Sequence, residues 1–518
     1  MRAPLVLLLV ALAVAGVAVG YAVGHDGGER ARQVERRPPV VLVILDEFPA
    51  DALIDPDGRI DAERYPSFAA LAATSTWFRN AQTVYDSTFK AVPAILDARY
   101  PKRGTAPDVR SHQPNVFHMM HRLGYDVIKA ESGTALCPPR ICPGARTRRP
   151  GVLRRLAGGG RPARLHRWIG AIRDRPRPTF YVHHALLPHE PWIYLPSGHQ
   201  SRPKGDDPIP GINRAIGFHD PLLTDHNHLR HLLQVGYVDR QLGLIVRRMR
   251  RTGIFDGAIL IVVADHGIAF EVGVKDRRQV TESNFEQVAA VPFFVKAPGQ
   301  TRGRIEDRIV RNIDVVPTIA ELLHTRVYWP HQGGSALSPP PRDRLSMPRR
   351  DFSRVISLSR SEFLRRRHAD RLWRARKFGT GVESSLLFGD PWASAYRIGP
   401  HPELIGRRVD AATVARSSQV HGRVANARLL RRVDFSRRLV PSRVEGRVEG
   451  GPPGAMRDLA VAVNGRIRAV GRSFHLRGRR AELFSLIVPE STLRPGRNEV
   501  RLLEVRASGA LGELAAAP

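Results

Sequence analysis

The sequence predicts an α/β protein: a mixed, mainly parallel central sheet flanked by helices, with an apolar N-terminal helix and a small β-rich C-terminal domain. Three observations predict it. Residues 40–45 (VVLVIL) and 258–264 (AILIVVA) are unbroken apolar runs rich in branched side chains, the composition of strands buried on both faces of a parallel sheet. Between them, Leu229, Leu232, Leu233, Val238, Leu242, Ile245 and Met249 recur at helical spacing over residues 227–252, so helix then strand forms an α/β crossover unit. Past residue 442, short alternating runs surround an Asn464-Gly465 pair, the signature of a type I′ hairpin.

Taken in order, residues 5–23 (LVLLLVALAVAGVAVGYAV) carry no charge, and about 20 apolar residues is what crossing a hydrocarbon core requires. Arg2 precedes them, a flank that keeps the N-terminus inside and exports the rest of the chain. Cleavage as a signal peptide and retention as an anchor both stay open, and either puts the body outside the cytoplasm. Residues 1–37 are therefore read as a membrane anchor and linker. Residues 180–182, 291–295 and 125–128 are further strand candidates. Residues 325–354, rich in proline and arginine, read as a connector. The expected organisation is a catalytic domain over 38–345, a connecting α/β region over 346–441 and a β-sandwich-like domain over 442–518.

The chain has 518 residues, 42% hydrophobic and 25% charged, which allows two or three cored domains and argues against a polytopic membrane protein. Its charge is +32, and only seven of its 81 basic residues are lysine. The arginines are spread along the chain, with no basic arm beside base-reading aromatics, so no nucleic-acid partner is expected; a membrane is. Cys137 and Cys142 are the two cysteines; five apart and flanked by prolines, they could close a small disulfide loop in an oxidising compartment. Nucleotide-loop, GxSxG and HExxH motifs are absent.

In open α/β sheets, ligands bind beyond the carboxyl ends of the strands. Asp46, His184, His189, Asp265 and His266 follow apolar runs. Any one of the aspartates could be a turn or cap residue; together they point to one site. Carboxylates with imidazole suit one divalent ion, Mn²⁺, Mg²⁺, Ca²⁺ or Zn²⁺. A hydroxyl next to such an ion becomes a nucleophile for phosphorus or sulfur centres.

The order VVLVIL-Asp46-Glu47, then Asp86-Ser87-Thr88-Phe89-Lys90-Ala91-Val92-Pro93, then Leu187-Pro188-His189-Glu190-Pro191-Trp192, then Ala264-Asp265-His266-Gly267, then Val291-Pro292, Pro298-Gly299 and Asp314-Val315-Val316-Pro317-Thr318 resembles the sulfatase-like branch of the alkaline phosphatase superfamily. The resemblance covers about residues 38–325. It implies that Thr88 stands in the nucleophile position, where sulfatases have Cys or Ser. The sulfatase Thr-Gly nine and ten residues further on is Asp97-Ala98 here, and the basic residue four positions on is Val92. Threonine cannot become formylglycine; in this slot it is similar to the phosphoglycerol and phosphoethanolamine transferases, which pass through a phosphothreonine.

The same resemblance implies that Asp46, Glu47, Thr88, Asp265 and His266 hold the metal, that His189 and His184 hold the transferring group or protonate the leaving oxygen, and that Lys296 or Lys275 offsets its charge. The expected function is a membrane-anchored, extracytoplasmic hydrolase or transferase acting on phosphoester, or secondarily sulfate ester, groups of envelope lipids or glycopolymers. The alternative is an inactive anchored binding or scaffold protein on the same fold. His226, His228 and His231, at the start of the long helix, are expected to be solvated.

Overall fold

The computed structural model describes residues 37–143, 161–203, 219–410 and, apart from 411–413, 417–419, 477 and 479, 414–515. Residues 5–23 lie outside that set, and no helix among the described residues is long and apolar enough to cross a membrane. Strand β1 (Val40–Asp46) is buried along its whole length, as a run with no polar alternation must be. The short β2 (Thr76–Phe78) follows α1 (Pro66–Ala72), and α2 (Thr88–Asp97) opens after the extended Ser87. Next come α3 (Val116–Arg122), β3 (Asp126–Ala130), α4 (Arg161–Ala171) and β4 (Thr179–Pro188). The long helix α5 (Pro221–Arg251) feeds β5 (Ile259–Ala264). Beyond it lie α6 (Phe285–Ala289), β6 (Phe293–Lys296), β7 (Arg304–Glu306) and α7 (Val315–Leu322).

These strands form one seven-stranded sheet in the order β3-β4-β1-β5-β6-β2-β7. β1 runs parallel to β4 and β5, whereas β6 is antiparallel to both β5 and β2. The mixed, mainly parallel sheet is the one expected. Its register decides the site: Leu45 pairs with Ala264, and Ile44 with His184. The residues just past β1 and β5 therefore emerge at the same edge. A bulge between Leu45 and Asp46 turns Asp46 opposite Pro188.

Helix α5 begins six residues earlier than its apolar periodicity suggested, because Asp220 caps it through the Leu223 N–H and Pro221 sits in its first turn, both favourable helix-start chemistry. His226 in the extension and His228 and His231 just beyond it are all buried, which corrects the expectation of solvated histidines. His228 stacks on Phe270, ring centroids 4.2 Å apart.

A hairpin of β8 (Arg344–Pro348) and β9 (Val355–Ser359) leads into α8 (Arg360–Phe378) and α9 (Gly381–Phe388). Leu345, Met347, Ile356 and Phe363 share one apolar cluster with Phe285 and Val288, and Arg367 on α8 pairs with Asp51 at 2.7 and 2.9 Å. Further on, β10 (Arg443–Glu449), β11 (Asp458–Val463), β12 (Arg466–Arg472), β13 (Glu482–Ile487) and β14 (Val500–Val505) belong to two small sheets. Leu459, Val461, Phe484, Leu486 and Leu502 fill the space between those sheets. Asn464 and Gly465 both have positive φ, 50° and 78°, as a type I′ turn needs.

Candidate active site

The cluster forms where β1 and β5 end side by side. The Asp265 N–H donates to Leu45 O at 2.9 Å and the Phe48 N–H to His266 O at 2.8 Å, so the two loops are stitched together. Asp265 is held from both sides: Thr83 Oγ1 and Asn312 Nδ2 donate to its carbonyl at 2.5 and 3.0 Å. Its Oδ1 accepts from the N–H groups of Glu47 and His266, at 3.3 and 2.6 Å. Gly267 follows because a Cβ there would stand 2.2 Å from the Gln287 carbonyl oxygen. Glu47 adopts φ of +60°, costly for a residue with a Cβ and the kind of strain that collects at functional sites.

Thr88 is the first residue of α2, and its Oγ1 lies 3.3 Å from Asp46 Oδ1 and 3.2 Å from His266 Nε2. The loop before it is pinned: Asp86 Oδ2 accepts the Val280 N–H at 3.0 Å, and Arg350, from the β8–β9 turn, donates to Asp86 Oδ1 at 3.2 Å. His189 is positioned from α5, where Gln234 Nε2 donates to the carbonyls of Pro188 and His189 at 2.8 and 2.9 Å. Buried Arg161 also donates to His189 O, at 2.8 Å.

Three imidazoles point the same way. The Nδ1 atoms of His184, His189 and His266 face the carbonyls of Ser132, Glu190 and Gly267. That places a proton on Nδ1 of each ring and, whenever the ring is neutral, leaves Nε2 a lone pair. Those lone pairs confront carboxylates: His184 Nε2 is 3.5 Å from Asp46 Oδ2, His189 Nε2 3.4 Å from Glu47 Oε1 and His266 Nε2 3.6 Å from Asp265 Oδ2. Asp46 Oδ2, Asp265 Oδ2 and His184 Nε2 are buried with no hydrogen-bond partner. Acceptors facing acceptors in a dry site fit a cation between them.

Two overlapping groups of potential ligand atoms result, Asp46–Asp265–His266 and Asp46–Glu47–His189, each within 4.8 Å. Burial pushes the Asp46 carboxyl up, but the imidazoles of His189, His184 and His266 outweigh it and hold the group at about 2. Burial, reinforced by the Asp46 charge, drives Asp265 well above the usual carboxylate range. Burial lowers His266 against the pull of Asp46 and Glu47.

The basic groups are not the expected ones. Lys296 closes β6, which runs antiparallel, so it pairs with Leu260 near the start of β5, at the opposite edge of the sheet. Its ammonium donates to the carbonyls of Asp256 and Ala297 at 3.0 and 3.2 Å. Lys275 is exposed on the loop past Gly267 and is not brought into the cluster. Arg277 and Arg278, two and three residues on, take that place. Arg277 Nη2 donates to both Glu47 oxygens at 2.8 and 3.0 Å, and Arg278 Nε lies 3.5 Å from Glu47 Oε1. Burial opposes the Glu47 charge, yet Arg277 foremost, then His189 and Arg278, lower its pKa strongly. Cys137 and Cys142 form a disulfide; the same loop carries Ser132, whose carbonyl orients His184.

Residues 163–325 match the sulfatase family model, a span that holds His184, His189, Asp265 and His266 and that the fold joins to Asp46 and Thr88. An endo-4-O-sulfatase of Bacteroides thetaiotaomicron is 22% identical over 156 residues, 30% of each chain; this chain thus spans about a third of the curated relative it matches. Among solved structures, the phosphonate monoester hydrolase of Agrobacterium radiobacter is 18% identical with a TM-score of 0.41, covering 61% of this chain and 82% of its own. An alkaline phosphatase superfamily protein of Vibrio parahaemolyticus is 16% identical with a TM-score of 0.40, covering 63% and 76%. The match to the sulfatase model falls on the strands and loops that carry His184, His189, Asp265 and His266, so this region of the chain is similar to the sulfatases.

Proposed function

We propose that this chain is a metal-dependent hydrolase or transferase in which Thr88 is the nucleophile toward phosphoesters of envelope lipids or glycopolymers, with sulfate esters as the second substrate class. One observation carries the reading: a threonine hydroxyl lies within 3.3 Å of both a carboxylate and an imidazole lone pair, beside buried carboxylate oxygens that lack partners. Asp46, Asp265, His266 and Thr88 would hold one divalent ion, with Glu47 and His189 next to it. Such an ion supplies charge that favours the threonine alkoxide and polarises the ester oxygens.

The residues divide the remaining work. The Thr88 hydroxyl proton passes to Asp46 as Oγ1 forms a bond to phosphorus. The bond from phosphorus to the leaving oxygen breaks, that oxygen keeps the electron pair, and His189, or His184 beside it, having first taken a proton on Nε2 from water, donates it there. Water or an acceptor alcohol then attacks the phosphothreonine and restores the hydroxyl. Arg277 and Arg278 offset the negative charge of the transferring group, the role first considered for Lys275 and Lys296. Residues 5–23 serve as the anchor and the body works outside the cytoplasm, which the Cys137–Cys142 disulfide supports.

Thr88→Ala should lose turnover of aryl phosphodiester, phosphomonoester and sulfate substrates alike, with an unchanged circular dichroism spectrum. High-resolution mass spectrometry of the peptide containing Thr88, after quenching during turnover, should find a phosphoryl or a sulfuryl adduct and distinguish the two. Full activity in the alanine variant would remove Thr88 from the chemistry.

A further inference from the structure

Helix α9 is built inside out. Gly381 and Ser384 face the interior, where the Gly381 N–H donates to Asp61 Oδ2 at 2.7 Å and Ser384 Oγ to the Asp390 carbonyl at 2.6 Å. Outward stand Val382, Leu386, Leu387 and Phe388, 56, 82, 64 and 47% exposed. The preceding turns of α8 add Leu372 and Trp373, each 38% exposed. A helix resting against water alone would turn its leucines in and its glycine and serine out. Large apolar side chains displayed together mark a surface that meets something else.

The charged neighbours say what. Arg365, His368 and Arg376 lie on the same exposed face of α8 as Leu372 and Trp373, and the Arg397 guanidinium sits 5.5 Å above the Phe388 ring. Glu383 is the exposed carboxylate of α9. Leucine, phenylalanine and tryptophan bordered by arginine are what a helix lying in a lipid interface presents, and the net charge of +32 draws the chain to anionic headgroups and repels a second copy.

We propose that the outward face of α8 and α9 is a contact surface for an anionic lipid bilayer, with Leu386, Leu387, Phe388 and Trp373 entering the boundary between headgroups and acyl chains. Arg365 and Arg376 meet lipid phosphates there. The inference deepens the reading of the site as one acting on envelope esters. Trp373 stacks 5.8 Å from His228, His228 lies 4.2 Å from Phe270, Phe270 5.7 Å from Trp192, and Arg277 covers Trp192 at 5.3 Å. A continuous line of ring contacts thus joins this surface to the arginine beside the cluster.

Both cysteines of the chain are paired, so Leu386→Cys offers a single thiol for an environment-sensitive dye, and Met456→Cys, at 55% exposure, serves as the aqueous reference. The full chain carrying either label is reconstituted in vesicles of phosphatidylglycerol and phosphatidylcholine with brominated acyl chains. The dye at 386 should be quenched when phosphatidylglycerol is present, and the dye at 456 should not. Equal, water-like emission from both would overturn the proposal. So would energy transfer between copies at position 386 that replaces quenching, since it would make the face a dimer contact. The Leu386→Glu/Leu387→Glu variant should turn over a vesicle-embedded phosphodiester several-fold more slowly and a water-soluble aryl ester at the parental rate; equal loss on both would also overturn it. If no ester is turned over by any form, the catalytic reading fails while the dye still decides the bilayer contact.

Discussion

Glu47 spends its charge on arginine. Its carboxylate is buried, held by Arg277 through two bonds, and borne on a backbone in the left-handed region. The pair therefore couples the end of β1 to the loop past Gly267 and fixes a guanidinium on Glu47, next to Asp46. Arg277→Ala should lower kcat/KM by about 100-fold, the usual cost of losing one donor aimed at developing charge, with Arg277→Lys intermediate because lysine lacks the two-pronged fork. Since the alanine variant also strands Glu47, Glu47→Gln/Arg277→Ala separates the two effects: it should regain stability in urea and stay slow. An active double variant would remove Arg277 from the chemistry. The two arginines escaped the sequence reading because they sit in a loop, where neither periodicity nor a strand end marks a position. Lys296 was misplaced for the opposite reason. It does end an apolar run, but a run carries no direction, and β6 is the strand that points away.

At the level of elements, the surplus arginine of this chain is partly structural. Arg367 is 1% exposed and binds Asp51 through two nitrogens, and Arg371 and Arg374 of the same helix reach the same aspartate. That fastens α8 to the turn four residues past Glu47. Arg367→Ala leaves Asp51 with one fewer partner in a dry site and should cost about 3–5 kcal/mol, read from urea unfolding, with Arg367→Met less harmful because it refills the volume. Nothing in the residue pattern separates this helix from a solvated basic one, which is why the connecting region 346–441 could not be divided into elements, whereas β1 and β5, apolar throughout, were legible at once. Helix α6 supplies a pH test. Burial, against the weaker pull of Arg366, pushes Glu286 up to about 7, above the ordinary glutamate value of about 4.3. The folded state thus keeps a proton that the unfolded chain has released. The resulting stability is fully present below about pH 4, declines from there and is gone above about 7, a swing on the order of 3 kcal/mol. Glu286→Gln should flatten that slope between about pH 4 and 7 and leave the protein more stable at about pH 8; an unchanged slope would mean the carboxyl titrates normally.

Across the whole molecule, the cluster is an unfavourable place that folding nonetheless assembles. Asp46 and Asp265 bring two carboxylates within ligand-sharing distance in a site sealed from water, and the fold holds them there through Thr83, Asn312 and the paired strand ends rather than through any attraction between them. A divalent ion that binds the folded chain and not the unfolded one stabilises it by mass action, about 2.7 kcal/mol at a concentration 100 times its Kd. Chelation should therefore lower the melting temperature and Mn²⁺, Mg²⁺, Ca²⁺ or Zn²⁺ should restore it, the largest shift marking the best fit. Asp265→Asn makes the argument sharper. It keeps an oxygen for the N–H groups of Glu47 and His266, replaces like charge with an amide that can donate toward Asp46, and removes a ligand. The variant should thus melt higher than the parent in chelator and show no metal-induced shift. If it melts lower in chelator, or retains the full response to metal, the two carboxylates are not opposed across a cation site, and the explanation for their unpartnered oxygens has to be sought elsewhere.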